Sequence, residues 1–126
     1  MAGVATQLVA VAAGGAGGAV ARFLVQTVVG ASGAPLAVLI VNVLGSFLAG
    51  VGLQWFNGAA IDSGWSNTLS LLFVTGFCGA FTTMSAMTVQ ARDLAMSDGL
   101  VTAAGYSALN VLLSIFALLL GAWTIR

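Results

Sequence analysis

Residues 36–56, LAVLIVNVLGSFLAGVGLQWF, form the apolar run that decides the fold. The run contains no charged side chain, and a helix needs about 20 such residues to cross the hydrocarbon core of a bilayer. Polar and turn residues divide the whole chain into four predicted transmembrane helices, at residues 4–29, 36–56, 68–95 and 101–125. Because no stretch alternates like a barrel strand, we predict an all-α integral membrane protein with a single four-span domain.

The composition of the chain also indicates a membrane location. Of its 126 residues, 60% are hydrophobic and 5% are charged, and the mean hydropathy is +1.13. Soluble domains carry about 25% charged residues, which keep their surfaces in solution. A water-exposed surface cannot be built from this chain, so we expect a multi-pass protein of the cell (inner or plasma) membrane.

Several classes of function are excluded by what the chain lacks. It has no His, so a Ser-His or Cys-His nucleophile cannot form. One Cys and three acidic residues leave few side-chain ligands for a metal ion. Three basic residues and zero net charge do not suit nucleic acid. We therefore expect no enzyme, no catalytic residue and no nucleic-acid partner.

The charged residues are nearly balanced between the two sides of the membrane. The side that holds the N-terminus carries Asp62 and Arg126, and the other side carries Arg22, Arg92, Asp93 and Asp98. Lys and Arg asymmetry normally sets orientation. Either a single Arg sets the orientation of the chain in the membrane, or another subunit sets it, or the chain inserts in both orientations. The 17 Gly residues favour close helix packing, either between copies of the chain or within one.

Polar side chains follow one face in three of the predicted helices. Asn42 and Ser46 lie four apart in the second helix, and the third helix carries VTGFCGAFTTMSAMTVQ at residues 74–90. The fourth helix carries Tyr106, Asn110 and Ser114, also four apart. A single hydroxyl is usually satisfied by its own backbone, but three polar stripes together indicate a wet or ligand-binding path.

The chemistry of these stripes favours an anion over a cation. Away from the helix ends, the predicted helices contain no Asp or Glu. The stripes offer hydroxyl and amide donors, which solvate anions. Arg22, late in the first helix, either creates a positive potential at a vestibule or extends its charged end to the interface.

The third helix also contains residues that form helices poorly. Gly76 and Gly79, followed by Thr82 and Thr83, predict a break that exposes backbone carbonyls. Such carbonyls require a coordinated cation or an enclosed cavity. Met84 and Met87 come directly after the break, and their spacing suits either core packing or a pore lining.

Together these segments resemble the Fluc (CrcB) family of fluoride channels. The resemblance lies in GGAGGAVARF at 14–23, VNVLGSF at 41–47, TGFCGAFTTMSAM at 75–87 and the stripe of the fourth helix. It implies antiparallel, dual-topology homodimers with two fluoride pores and a central structural sodium ion on the main-chain carbonyls of Gly79 and Thr82. The implied fluoride pathway comprises Asn42, Met84, Ser85, Met87, Thr88, Tyr106, Asn110 and Ser114.

The chain departs from the family pattern at the centre of that pathway. Members of the family typically read TTFSTF where this chain reads TTMSAM at residues 82–87, so two Met replace rings with partly positive edges. Asn110 also lies where a Ser is common. We predict a passive, fluoride-selective channel that exports the toxic ion.

The sequence leaves two other functions open. One is a non-conducting or heteromeric partner subunit that works with a paralogous chain, which the two Met motivate. The other is a small four-span exporter coupled to protons. Such exporters depend on a membrane-embedded Glu, and this chain has none.

Overall fold

The computed structural model describes residues 3–58 and 63–125 of the chain. Its helices are α1 (Val4–Val29), α2 (Ala34–Gly58), α3 (Ser63–Ser70), α4 (Gly79–Phe81), α5 (Met84–Ser97) and α6 (Leu100–Thr124). A π-helical segment at Leu71–Cys78 joins α3 to α4, and a 3₁₀ turn at Ala31–Gly33 precedes α2. Asp62 and Arg126, which enter the charge balance, lie outside the described residues.

Four helical stretches are long and apolar enough to cross a membrane, which confirms the predicted all-helical class and its four spans. They run from Val4 to Val29, from Ala31 to Gly58, from Gly64 to Ser97 and from Leu100 to Thr124. The second stretch extends beyond the predicted run, since α2 already includes Pro35. Proline is tolerated in the first turn of a helix, where its missing N–H would have no partner.

Glycines allow α1 to pack directly on the π-helical segment. A Cβ atom on Gly14 would overlap the carbonyl oxygen of Leu72, and one on Gly18 would overlap that of Phe77. On the opposing segment, a Cβ atom on Gly76 would lie 2.8 Å from the carbonyl oxygen of Val11. These glycines therefore serve contacts within one chain, because only a residue without a side chain permits such close backbones.

Helices α2 and α6 form a second close pair. A Cβ atom on Gly50 would overlap the carbonyl oxygen of Leu118, and one on Gly121 would overlap that of Phe47. Nearer the start of both helices, Asn42 Nδ2 donates to Asn110 Oδ1 over 3.0 Å. The Asn pair lies nearer the start of both helices than the contact between Gly50 and Leu118 does, so the two helices run parallel.

Between α4 and α5 the backbone is extended at two threonines. Thr82 has φ −79° and ψ 159°, and Thr83 has φ −153° and ψ 118°. Gly79 keeps helical angles of −62° and −37°, so the extended residues are the β-branched threonines, which tolerate this conformation well. The Thr83 hydroxyl accepts a hydrogen bond from the Ala86 N–H over 3.1 Å and caps α5.

Candidate functional site

A cleft of about 260 Å³ lies where α2, α5 and α6 meet beside the extended threonines. It is lined by Asn42, Ser46, Thr82, Thr83, Met84, Met87, Asn110, Val111, Ser114 and Ile115. Its lining brings together side chains from all three polar stripes, and it contains no carboxylate. Both methionines take part, although Met84 is 67% exposed and Met87 only 5%.

Asn42 is the centre of the hydrogen bonds that hold this cleft together. Its Oδ1 accepts from the Thr83 N–H over 2.7 Å, and its Nδ2 donates to the Thr83 carbonyl over 3.2 Å. Thr83 is the N-cap of α5, so its N–H has no acceptor within the helix while its carbonyl begins the helical hydrogen bonds. The Asn42 amide supplies the acceptor for that N–H and a second donor to the carbonyl. Asn42 thereby connects α2 to the start of α5.

The same network determines the orientation of Asn110. Because Asn42 Oδ1 must face the Thr83 N–H, its Nδ2 carries the second hydrogen that Asn110 Oδ1 accepts over 3.0 Å. Asn110 Nδ2 then donates to the Tyr106 carbonyl oxygen over 3.3 Å. Both amides are buried, and both hydrogens of Asn42 are used within the chain.

Three of the predicted pathway residues do not line the cleft. The Tyr106 hydroxyl donates to the Pro35 carbonyl oxygen over 3.1 Å, at the start of α2. Ser85 Oγ lies 3.2 Å from Thr83 Oγ1, and Thr88 Oγ1 donates to the Ser85 carbonyl oxygen over 2.8 Å. Ser85 and Thr88 are exposed on α5. The other five predicted residues line the cleft: Asn42, Met84, Met87, Asn110 and Ser114.

Five residues that line the cleft are not among the predicted pathway residues: Ser46, Thr82, Thr83, Val111 and Ile115. The two threonines belong to the predicted break in the third span. The spacing of Ser46 from Asn42 was the available signal for the serine, since residues four apart share a helix face. No such signal exists for Val111 and Ile115, because apolar side chains are common on every face of a membrane helix.

Arg22 lies in α1 and is half-buried, but it is not part of the cleft lining. Within residues 3–58 and 63–125, the ion pair that forms joins Arg92 to its neighbour Asp93, 3.0 Å apart and exposed. Exposed pairs of this kind contribute little to stability. The Arg22 guanidinium is therefore not one of the groups that line the cleft around Asn42.

The carbonyl oxygen of Gly79 lacks the partner it would have in a continuous helix. That partner would be the Thr83 N–H, which binds Asn42 instead. Thr82 Oγ1 approaches the Gly79 oxygen at 3.5 Å while donating more closely, over 2.9 Å, to the Cys78 oxygen. Gly79 is also exposed. In the described part of the chain, no three His, Cys, Asp or Glu residues cluster as metal ligands.

Residues 9–122 match the family described as CrcB-like protein, Camphor Resistance (CrcB). The chain belongs to the CrcB family. The matched region contains all of the cleft lining, so the site described above is part of the CrcB domain. A CrcB chain with four long apolar helices is a multi-pass membrane protein.

Curated proteins of similar sequence carry a common functional name. A "Fluoride-specific ion channel FluC" from Roseobacter denitrificans is 39% identical over 124 residues, 94% of each chain. A "Fluoride-specific ion channel FluC 1" from Halobacterium salinarum is 43% identical over 109 residues, 86% of this chain and 85% of that protein. A "Fluoride-specific ion channel FluC" from a Jannaschia species is 46% identical over 92 residues, 73% and 83% of the two chains.

Proposed function

We propose that this protein is a fluoride-selective channel that passively exports the ion and performs no catalysis. The observation that carries the proposal is the cleft between α2, α5 and α6, whose lining contains amides and hydroxyls and is free of carboxylates. Fluoride is small and strongly hydrated, so a path for it must replace its water with closely spaced donors. The names of the relatives support the same ion.

We propose further that two copies pair in an antiparallel, dual-topology homodimer with two pores. In a single chain the cleft is open beside the exposed Met84, and polar groups open to hydrocarbon are costly. A second copy would cover them. The nearly balanced charges of the sequence support insertion in both orientations, and a paralogous CrcB chain is the alternative partner.

A structural sodium ion at the centre of that dimer is the third part of the proposal. The main-chain carbonyls of Gly79 and Thr82 would hold it, one set from each copy. Two features support the fit: the Gly79 oxygen has lost its helical partner, and carbonyls at the end of a helical segment carry partial negative charge. Oxygen atoms are the ligands that hard cations prefer, and the ion would offset this negative charge.

The sodium proposal predicts a specific effect of a large residue at Gly79. Within one chain a Cβ atom there meets nothing closer than the Val74 carbonyl oxygen at 3.9 Å, so Gly79→Leu is compatible with the fold of one copy. We expect the variant to lose dimer formation and fluoride efflux, because the side chain would occupy the centre between copies. Thr82→Ser is expected to keep dimer formation and fluoride efflux, because the proposed ligand is the main-chain carbonyl of this residue.

Gly105→Leu is the matched control, since a Cβ atom on Gly105 also meets nothing within 4 Å. Dimer content is measured by cross-linking in membranes. Thermal unfolding in sodium and in potassium buffer tests the ion, because a bound ligand raises the melting temperature. The parent is expected to melt several degrees higher in sodium. Equal melting temperatures in both salts would contradict the sodium site.

Efflux from liposomes tests the proposed channel function directly. Purified protein is reconstituted in liposomes loaded with fluoride or chloride, and efflux is read with an ion-selective electrode. We expect rapid fluoride efflux and background chloride efflux, because a narrow path excludes the larger ion. Met84→Phe combined with Met87→Phe is expected to keep or raise the fluoride rate, since ring edges stabilise an anion better than thioethers.

The double variant also separates the channel from the partner subunit. Met96→Phe is its control, because Met96 is exposed near the end of α5 and away from the cleft. Fluoride efflux from the parent supports a channel that works by itself. Efflux from the double variant alone would identify the parent as a partner subunit, and no fluoride efflux from either protein would overturn the proposed function.

A further inference from the structure

Ser46 on α2 and Ser114 on α6 both line the cleft. The two helices run parallel, and Asn42 on one is hydrogen-bonded to Asn110 on the other. Ser46 follows Asn42 by four residues and Ser114 follows Asn110 by four. Since residues four apart share a helix face and each residue adds about 1.5 Å along a helix, each serine lies about one turn beyond its own member of the Asn pair.

The hydroxyls of these two serines differ from most others in the membrane-spanning helices. Ser107 donates to the Ala103 carbonyl oxygen over 2.9 Å, and Thr27 donates to that of Phe23 over 2.8 Å. Ser46 and Ser114 form no hydrogen bond to any part of the described chain, although both are half-buried and line the cleft. Because an unpaired hydroxyl inside a membrane is costly, a ligand in the cleft is their natural partner.

The surroundings of the serine pair select an anion. Asn42 uses its oxygen and both of its amide hydrogens within the chain, and the Asn110 oxygen accepts from Asn42. The hydroxyls of Thr82 and Thr83 are engaged by the Cys78 carbonyl oxygen and the Ala86 N–H. The other lining side chains are apolar: Met84, Met87, Val111 and Ile115. The cleft thus offers the protons of the two serine hydroxyls and no negative charge to balance a cation.

We propose that Ser46 and Ser114 form a hydroxyl pair that binds fluoride in the cleft, one turn beyond the Asn42–Asn110 pair, with Ser46 as an additional binding residue on α2. The inference rests on the proposed function for the identity of the ion. Each hydroxyl donates one hydrogen bond to the same ion. The backbone contact at Gly50, one turn away, holds α2 and α6 together, so the two donors cannot separate to accommodate a larger anion.

Removing one hydroxyl tests the pair. We expect Ser46→Ala to lower fluoride efflux from liposomes about tenfold, the usual effect of losing one hydrogen bond to a charged group. Ser46→Thr keeps the hydroxyl and is expected to retain most of the rate. Ser107→Ala is the control, because the Ser107 hydroxyl is bonded to its own helix, and its rate is expected to match that of the parent.

Fluoride binding in detergent provides a readout that does not depend on conduction. We expect sodium fluoride, compared with sodium chloride, to raise the melting temperature of the parent and of Ser107→Ala, but not that of Ser46→Ala. In chloride all three proteins should melt together, since Ser46 gives up no bond within the chain. A full fluoride shift in Ser46→Ala would overturn the serine pair. A parent that shows the shift without efflux would keep the pair and overturn the proposed channel.

Discussion

Fluoride efflux is expected to disappear when every copy of the chain is held in one orientation. Ser32→Lys with Asp98→Lys places two positive charges on one side of the membrane, and Asn57→Lys with Thr124→Lys places two on the other. All four positions are exposed at helix ends, and added Lys residues direct their side to the cytoplasm. An antiparallel pair requires both orientations, so each locked variant alone should show background efflux.

Co-expression of the two locked variants is expected to restore the parental rate, because each supplies the orientation that the other lacks. Ser32→Gln with Asp98→Gln is the matched control without added positive charge, and it should behave like the parent. Orientation is read from the labelling of a single introduced cysteine by a reagent that does not cross the membrane. Full efflux from one locked variant by itself would refute the antiparallel dimer.

Replacing Asn42 is expected to have the second large effect. Asn42→Leu has similar size but leaves the Thr83 N–H and the Asn110 oxygen unpaired and removes one of the two bonds to the Thr83 carbonyl. At about 1 kcal/mol for each of these three hydrogen bonds, the loss is about 3 kcal/mol of unfolding free energy. We expect a clear fall in the melting temperature, together with loss of fluoride efflux, because the start of α5 is no longer held against α2.

Two comparisons isolate the role of the Asn42 amide. Asn57→Leu makes the same exchange at an exposed position of the same helix and is expected to change neither stability nor efflux. Asn42→Asp keeps an acceptor for the Thr83 N–H but buries a carboxylate oxygen against the Thr83 carbonyl and the Asn110 oxygen, so its melting temperature should lie at or below that of Asn42→Leu. A parental melting temperature and rate in Asn42→Leu would show that the network is dispensable.

The sequence only partly determines the role of the glycines in helix packing. Their number predicts close helix packing, but it does not say whether the partner helix belongs to the same chain. The structure assigns Gly14 and Gly18 to contacts with the π-helical segment of the same chain. Similarly, the sequence marks the whole segment from Gly76 to Thr83 as a poor helix former, and only the structure locates the extended backbone at Thr82 and Thr83 within it. There the Asn42 amide binds the N–H and carbonyl of Thr83.

Hydropathy and composition alone determine that this chain spans a membrane four times as helices and lacks the side chains of common catalytic sites. Each of these properties follows from local composition, since a bilayer selects any sufficiently long apolar run. The parallel packing of α2 and α6, the use of both Asn42 amide hydrogens within the chain and the meeting of Ser46 and Ser114 in one cleft are decided by tertiary structure. They depend on which helix faces meet, and residues 68 positions apart, such as Asn42 and Asn110, become neighbours only when the helices pack.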